Sequence, residues 1–241
     1  AMSRPLGGYI GYDAEPATTA APGIWTLREA EFYKRKAQWP LPSDPFFSDV
    51  VLLLHMDGAN NSTTFTDSSQ SSHTATAVGD AKISTSQSKF GGASSLFDGS
   101  GDMVTFADSN DFHFGSDDFT IEAWIRLAAH PGNYAGVYAS AIISHDDGSS
   151  ATSSYGFNFS VEGSASQTLG LTLTSDTAAR TSITGTANFA LNTWCHVAAV
   201  RDGNTIYLYK DGVLLNSGGT AFTDTLQNSP TTLKVGALAF D

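Results

Sequence analysis

NTWCHVAAVRDGNTIYLYKDGVLL, residues Asn192–Leu215, carries three alternating apolar runs separated by two Asp-Gly pairs. Asp202-Gly203 and Asp211-Gly212 tolerate the positive φ that tight two-residue hairpins need, and Thr205–Lys210 between them is β-branched and aromatic. The stretch predicts a β-meander. Upstream, from Val50, short apolar runs separated by Gly, Asp, Asn and Ser clusters extend the pattern: Val50–His55, Ser94–Phe97, Met103–Phe106, Phe119–Leu127, Ala141–Ser144, Tyr155–Val161, Leu169–Thr174, Thr193–Arg201 and Leu233–Val235. Helical periodicity is absent, and ten or so strands of this length require two stacked sheets. In Phe119–Ile125 the alternation places Phe119, Ile121, Ala123 and Ile125 toward the core and Thr120, Glu122 and Trp124 on the other face.

Residues 1–48 differ in kind. Six of the eight prolines fall in residues 1–45, and Thr26 with Glu29 forms a capping box ahead of a predicted helix over 27–38. Its apolar face is too small for stability alone, so Trp25, Phe32, Tyr33 and Trp39 are the candidate anchors by which this extension docks on a larger body. The division expected is an extension of residues 1–48 and a main domain of residues 49–241.

Formal charge is −12, and the excess belongs to residues 49–241, with 7 Lys/Arg against 19 Asp/Glu. Such a surface repels polyanions, which argues against nucleic acid and anionic membranes as partners. No apolar run is long enough to insert in a membrane. Cys195 is the sole cysteine, so neither an intrachain disulfide nor a Cys-based zinc site can form, as suits folding in a reducing bacterial cytoplasm.

The ordered motifs FGGASSLFDGSGDMVTF, DFTIEAWIRL, NTWCHVAAVRDGNTIYLYKDGVLL and LKVGAL resemble those of the laminin-G-like, concanavalin-A-like jelly-roll family over about residues 50 to 238. The resemblance implies an all-β fold, a sandwich of two antiparallel sheets with ligands or calcium held by rim loops. Family members commonly continue past the LKVG-like strand, so the resemblance implies either a fragment or an absent last strand, with the open edge closed by the N-terminal extension or by a neighbouring subunit. GIWTLREAEFYKRKAQWP, Gly23–Pro40, is similar to segments that precede such jelly rolls in tail-associated virion proteins of bacteriophages. That likeness implies a virion protein attached to other virion proteins through residues 1–48.

Glycosidases on this kind of sandwich need two carboxylates across the scissile bond. The main domain has two glutamates, Glu122 and Glu162, and neither has an acidic residue two or three positions away. Glu122 is the nearest acid/base candidate, and beside Trp124 it reads more simply as a solvent-facing strand residue. No Gly-x-Ser-x-Gly or His-Glu-x-x-His pattern is present. The expectation is therefore a non-enzymatic protein. The six histidines are scattered and predict no metal site. Aspartates concentrated in turns raise calcium, with Asp57, Asp98 and Asp102 the candidate ligands; the same residues can also cap turns without an ion. For host-surface carbohydrate, Tyr134, Tyr138 and Tyr155, with Asp146 and Asp147, flank a Gly/Ser/Asp-rich segment expected to form rim loops, where recognition is usually placed. A purely structural decoration protein, and a polysaccharide-degrading enzyme, stand as the alternatives.

Overall fold

A computed structural model of the chain describes residues 46–131, 133–134, 137–146, 156–163 and 167–236. The chain divides into two compact units, Ala1–Asp49 and Val50–Asp241. The predicted helix over 27–38 and the anchor residues Trp25, Phe32, Tyr33 and Trp39 lie outside the described residues.

The strands of the second unit are β1 (Ala75–Val78), β2 (Lys82–Ser84), β3 (Ser94–Leu96), β4 (Met103–Phe106), β5 (Phe119–Arg126), β6 (Asn133–Tyr134), β7 (Val137–His145), β8 (Phe157–Glu162), β9 (Thr168–Thr174), β10 (Arg180–Thr186), β11 (Trp194–Asp202), β12 (Thr205–Lys210), β13 (Val213–Leu214), β14 (Thr220–Ala221) and β15 (Leu233–Val235). Among the described residues an eight-stranded sheet runs β1-β4-β15-β7-β8-β9-β10, with β6 on β7. A five-stranded sheet runs β13-β12-β11-β5, with β14 on β12, and β2-β3 form a separate ribbon. Every pairing is antiparallel. The fold is the expected all-β jelly-roll sandwich.

The meander Asn192–Leu215 forms β11, β12 and β13. In its second turn Asp211 and Gly212 both have positive φ, 48° and 77°, as a two-residue hairpin of this hand requires. The first turn sits one residue later than expected: Asp202 still pairs with Thr205, leaving Gly203 (φ 57°) and Asn204 as the loop. The core lies between the sheets. Phe157, Phe159 and Val161 of β8 pair with Leu173, Leu171 and Leu169 of β9 and are at most 2% exposed. They share one apolar cluster with Phe119 and Ile121 of β5, Cys195, Val197 and Ala199 of β11, and Ile206 and Leu208 of β12.

One expected strand is absent. Val50–His55 is not a strand; it makes one isolated bridge, Leu54↔Asp67. Asp67 organises it instead, accepting the Leu53, Ser69 and His73 N–H groups at 2.9, 2.9 and 2.8 Å. Burial opposes ionisation of this carboxyl, but those donors and the Ser69 hydroxyl outweigh it and hold it below the usual carboxylate range. A strand without a sequence expectation is β10, whose sequence RTSITGT offers only Ile183 as a large apolar inward residue, so period-2 alternation barely shows.

Candidate functional site

The antiparallel register sends the large apolar residues of β8, β9 and β10 inward, and the residues left on their outer face, Asn158, Ser160, Glu162, Thr172, Ser182 and Thr184 among them, are polar. One transverse row crosses seven strands: Thr76 faces Thr105, Thr105 faces Lys234, Lys234 faces Ser144, Ser144 faces Asn158, Asn158 faces Thr172, and Thr172 faces Ser182. Every member carries a hydroxyl, an amide or an ammonium. At one end of this face Asp146, Gly156, Phe157, Asn158, Thr172, Thr174 and Arg180 line a shallow surface depression that encloses no cavity.

The polar groups there are held in place. Asn158 Nδ2 lies 3.5 Å from Asp146 Oδ2, and Thr172 Oγ1 lies 3.5 Å from Ser182 Oγ. The Asp146 carbonyl accepts from Thr231 Oγ1 at 3.1 Å and from Lys234 Nζ at 3.0 Å. Gly156, at φ 65°, passes so close to the His145 carbonyl that a Cβ would collide with it. That contact closes the β7 and β8 ends around Asp146. Ser144, Asp146, Asn158, Thr172 and Thr174 are all buried, and Asn158 Oδ1 is a buried acceptor with no hydrogen-bond partner.

Along the same face Glu162 folds over Gly170, where a Cβ would strike its carboxylate, and accepts from Ser160 Oγ at 3.1 Å. Burial pushes its carboxyl up; the Ser160 hydrogen bond and the charge of Arg180 pull the other way and do not cancel it. Glu162 is thus the perturbed carboxylate of this face, where the sequence had pointed to Glu122. Glu122 belongs to the opposite sheet, with its Oε2 3.3 Å from His196 Nε2. Asp146 adjoins Gly156, six residues from Glu162 along β8, so at 3.3 Å per residue the two carboxylates are separated by roughly 13 to 20 Å, depending on how their side chains lean. Glycosidase pairs are about 5 to 9.5 Å apart.

Three histidines that are remote in sequence converge on Asp108 and Asp111. His145 Nε2 donates to the Thr231 carbonyl at 3.0 Å and lies 3.4 Å from Asp108 Oδ1. His113 Nε2 is 3.2 Å from that same oxygen, and His73 Nε2 is 2.9 Å from Asp111 Oδ2. Burial holds His145 below the ordinary imidazole range, more strongly than the Thr231 carbonyl and Asp108 raise it.

An acidic cluster lies at another turn. Val78 pairs with Met103, so the β1–β2 turn comes opposite Asp102, and carboxylate oxygens of Asp80, Asp98 and Asp102 lie within 4.8 Å of one another. Asp102 Oδ1 accepts the Asp80 N–H at 2.7 Å and its Oδ2 accepts the Asp98 N–H at 3.0 Å. Gly79 leaves the room Asp102 fills, since a Cβ there would collide with Oδ1. Hard oxygens in this number fit a calcium-type ion, completed by carbonyls or water; the cluster can hold a metal. Its third member is Asp80. Asp57, expected from sequence, lies instead against Gly91, because the turn facing Asp102 is chosen by strand register and not by proximity in the chain.

Of the expected sugar-contacting residues, Asp146 lines the depression. Tyr134 and Tyr138 fall on paired strands, with Asn133 facing Tyr138, and not in a loop. Tyr155 and Asp147 lie outside the described residues. Asn158, Thr172, Thr174 and Arg180 carried no sequence signal, because Ser/Thr/Asn on a strand mark only a polar face until their cross-strand partners are known.

Comparison with known proteins bears on this arrangement. A family model described as the concanavalin A-like lectin/glucanases superfamily (Laminin_G_3) matches residues 98–239. No curated protein matches the chain. Among solved structures, domain 4 of AbnA, a GH43 extracellular arabinanase from Geobacillus stearothermophilus, in complex with arabinotriose, is similar at a TM-score of 0.52 and 14% identity, over 73% of this chain and 79% of that one. At that identity the likeness is one of fold.

Proposed function

The chain belongs to the concanavalin A-like lectin/glucanases superfamily, and from that premise we propose that it is a non-enzymatic carbohydrate-binding protein whose ligand lies on the polar face of the eight-stranded sheet. The observation that carries this reading is the buried, oriented wall of Asp146, Asn158, Thr172 and Thr174 in the depression at the sheet's end. Sugar hydroxyls are paired donors and acceptors, and they need fixed partners of both kinds within one concave surface. The AbnA domain solved with arabinotriose adds support as a relative in fold. The wide separation of Asp146 and Glu162 favours binding over hydrolysis.

In this proposal calcium, when bound by Asp80, Asp98 and Asp102, ties the β1–β2 turn to the β3–β4 turn and supplies no chemistry to the ligand. The biological setting we propose is a bacteriophage particle: residues 1–48 attach the domain to other virion proteins, and the domain contacts host-surface glycan. The likeness of Gly23–Pro40 to segments of tail-associated proteins supports this setting. Glycan-array binding of the full chain, in calcium and in chelator, tests the reading. Saturable binding lost in Asn158→Ala and Thr172→Val is expected. Binding that survives both substitutions moves the ligand off this face, and absence of binding in either buffer leaves a structural role on the particle.

A further inference from the structure

We propose that the outer face of the five-stranded sheet is a second binding site, for an oligosaccharide bearing a carboxylate, centred on Trp124 and flanked by Lys89 and Arg126. It goes beyond the polar-face reading and stands on different residues. On this sheet the register places Arg126 opposite Trp194 and Trp124 opposite His196. The next rows are Glu122, Ala198, Tyr209 and Leu214, then Thr120, Val200 and Tyr207. One face therefore collects two tryptophans, two tyrosines and a histidine, where the corresponding row of the eight-stranded sheet has no aromatic residue at all.

Part of this aromatic surface stands in water. Trp124 is 38% exposed and Phe90 67%. Their rings meet edge to face with centroids 5.7 Å apart, and the His196 ring lies 5.4 Å from Trp124 on the neighbouring strand. A cluster of exposed aromatics on a domain with a well-filled core marks a binding surface. The polar groups set among the rings distinguish it from a plain apolar patch. Glu122, beside His196, supplies an acceptor, and the imidazole supplies a donor, next to an indole on which the CH face of a pyranose can lie.

Charge selects the ligand class. Of the cations in this unit, Lys82 pairs with Asp80 at 3.3 Å and Lys210 with Asp211 at 3.7 Å. Lys234 donates to the Asp146 carbonyl, Arg201 to three carbonyls, and Arg180 is engaged. Among the described residues Lys89 and Arg126 alone are left with neither an ion pair nor a hydrogen bond, and both belong to the Trp124 face. Lys89 Nζ rests 3.9 Å from the Trp124 ring centroid, a contact that is weak at an exposed site. A sugar ring taking that place on the indole frees the ammonium to meet the ligand's carboxylate, with Arg126 on the other side. Set against the exposed Glu122 carboxylate of the same face, Lys89 and Arg126 leave a local excess of one positive charge on a chain of net charge −12, the complement of a single sugar carboxylate beside the indole.

The test uses the full chain labelled with ¹⁵N and follows the Trp124 indole N–H resonance, assigned with Trp124→Phe. The probes are oligogalacturonate, oligoguluronate and sialyllactose, each beside its carboxyl-reduced neutral counterpart. A saturable shift with at least one acid is expected, weakened about ten-fold in the neutral counterpart and in the Lys89→Ala/Arg126→Gln double variant, the size of two exposed ion pairs together. Asn158→Ala and Thr172→Val, which disable the polar face, leave this shift in place, so failure of one site is distinguishable from failure of the other. Three results overturn the proposal: no acid moves the resonance, the neutral counterparts bind equally well, or the resonance shifts with protein concentration alone while sedimentation reports a dimer. The last would make the face a self-association surface.

Discussion

Replacing Arg201 with Met tests the packing logic of the sandwich most directly. The side chain is 2% exposed and lies at the inner end of β11 without a carboxylate. Its Nε donates to Gly203 O at 3.0 Å, Nη1 to Gly115 O at 2.9 Å and Nη2 to Asp224 O at 3.1 Å, while the guanidinium lies 5.2 Å from the Phe222 ring centroid. One cation thus joins the β11–β12 turn, the loop before β5 and the segment after β14. In Arg201→Met the Gly115 carbonyl keeps its bond from the Leu226 N–H at 2.8 Å, but Gly203 O and Asp224 O lose the partner Arg201 gave them. Losing these two charge-assisted hydrogen bonds costs about 1.5–3 kcal/mol each, and relief from burying a charge offsets part of that. The net loss expected is about 2–4 kcal/mol. With a urea m-value of about 2 kcal/mol/M for a domain of this size, the midpoint falls by about 1–2 M. Equilibrium urea denaturation followed by circular dichroism reads it. A midpoint within about 0.3 M of the parent at unchanged m would show that those carbonyls find water at no cost and that Arg201 is not the tie described.

Calcium at about 10 mM should raise the melting temperature by several degrees over chelator, from the about 1.4–2.7 kcal/mol expected of an extracellular-type site with a Kd near 10⁻⁴–10⁻³ M. Asp80→Asn abolishes the rise without lowering the melting temperature in chelator, because Asp80 is exposed; a rise that persists relocates the ion. Glu162→Gln should stabilise the protein at neutral pH. The raised carboxyl of Glu162 favours folding below its unfolded pKa, and that contribution is lost as pH rises through the folded value, so the gain disappears in acid titrations of stability. A gain that is independent of pH refutes burial as its cause. Asp67 runs the other way. Its lowered carboxyl stabilises above the unfolded pKa, and the contribution is lost as pH falls through the folded one. Asp67→Asn therefore flattens the acid limb of the stability profile and raises hydrogen exchange at Leu53 and His73; unchanged exchange there would contradict its organising role.

The alternation of Phe119–Arg126, Trp194–Asp202 and Thr205–Lys210, with Asp-Gly at the turns, was enough by itself to determine an all-β meander, a two-sheet sandwich and an outward-facing Trp124, because side-chain direction on a strand and positive φ at a turn are set within a few residues. The same locality explains the errors. Val50–His55 looks like a buried strand until Asp67 claims its backbone, and Arg180–Thr186 hides a strand behind hydroxyl side chains. Asp98 and Asp102 were legible as neighbours in one turn, and Asp146 as a loop-end carboxylate. Asp80 joins the first pair only through the pairing of Val78 with Met103, and Asp146 gains Asn158, Thr172 and Arg180 only because β8, β9 and β10 lie side by side. Tertiary structure alone decided these sites, since each is assembled from cross-strand neighbours, and which strands become neighbours depends on burying Phe157, Phe159, Leu171 and Val197 in one shared core, a long-range condition that no local pattern encodes.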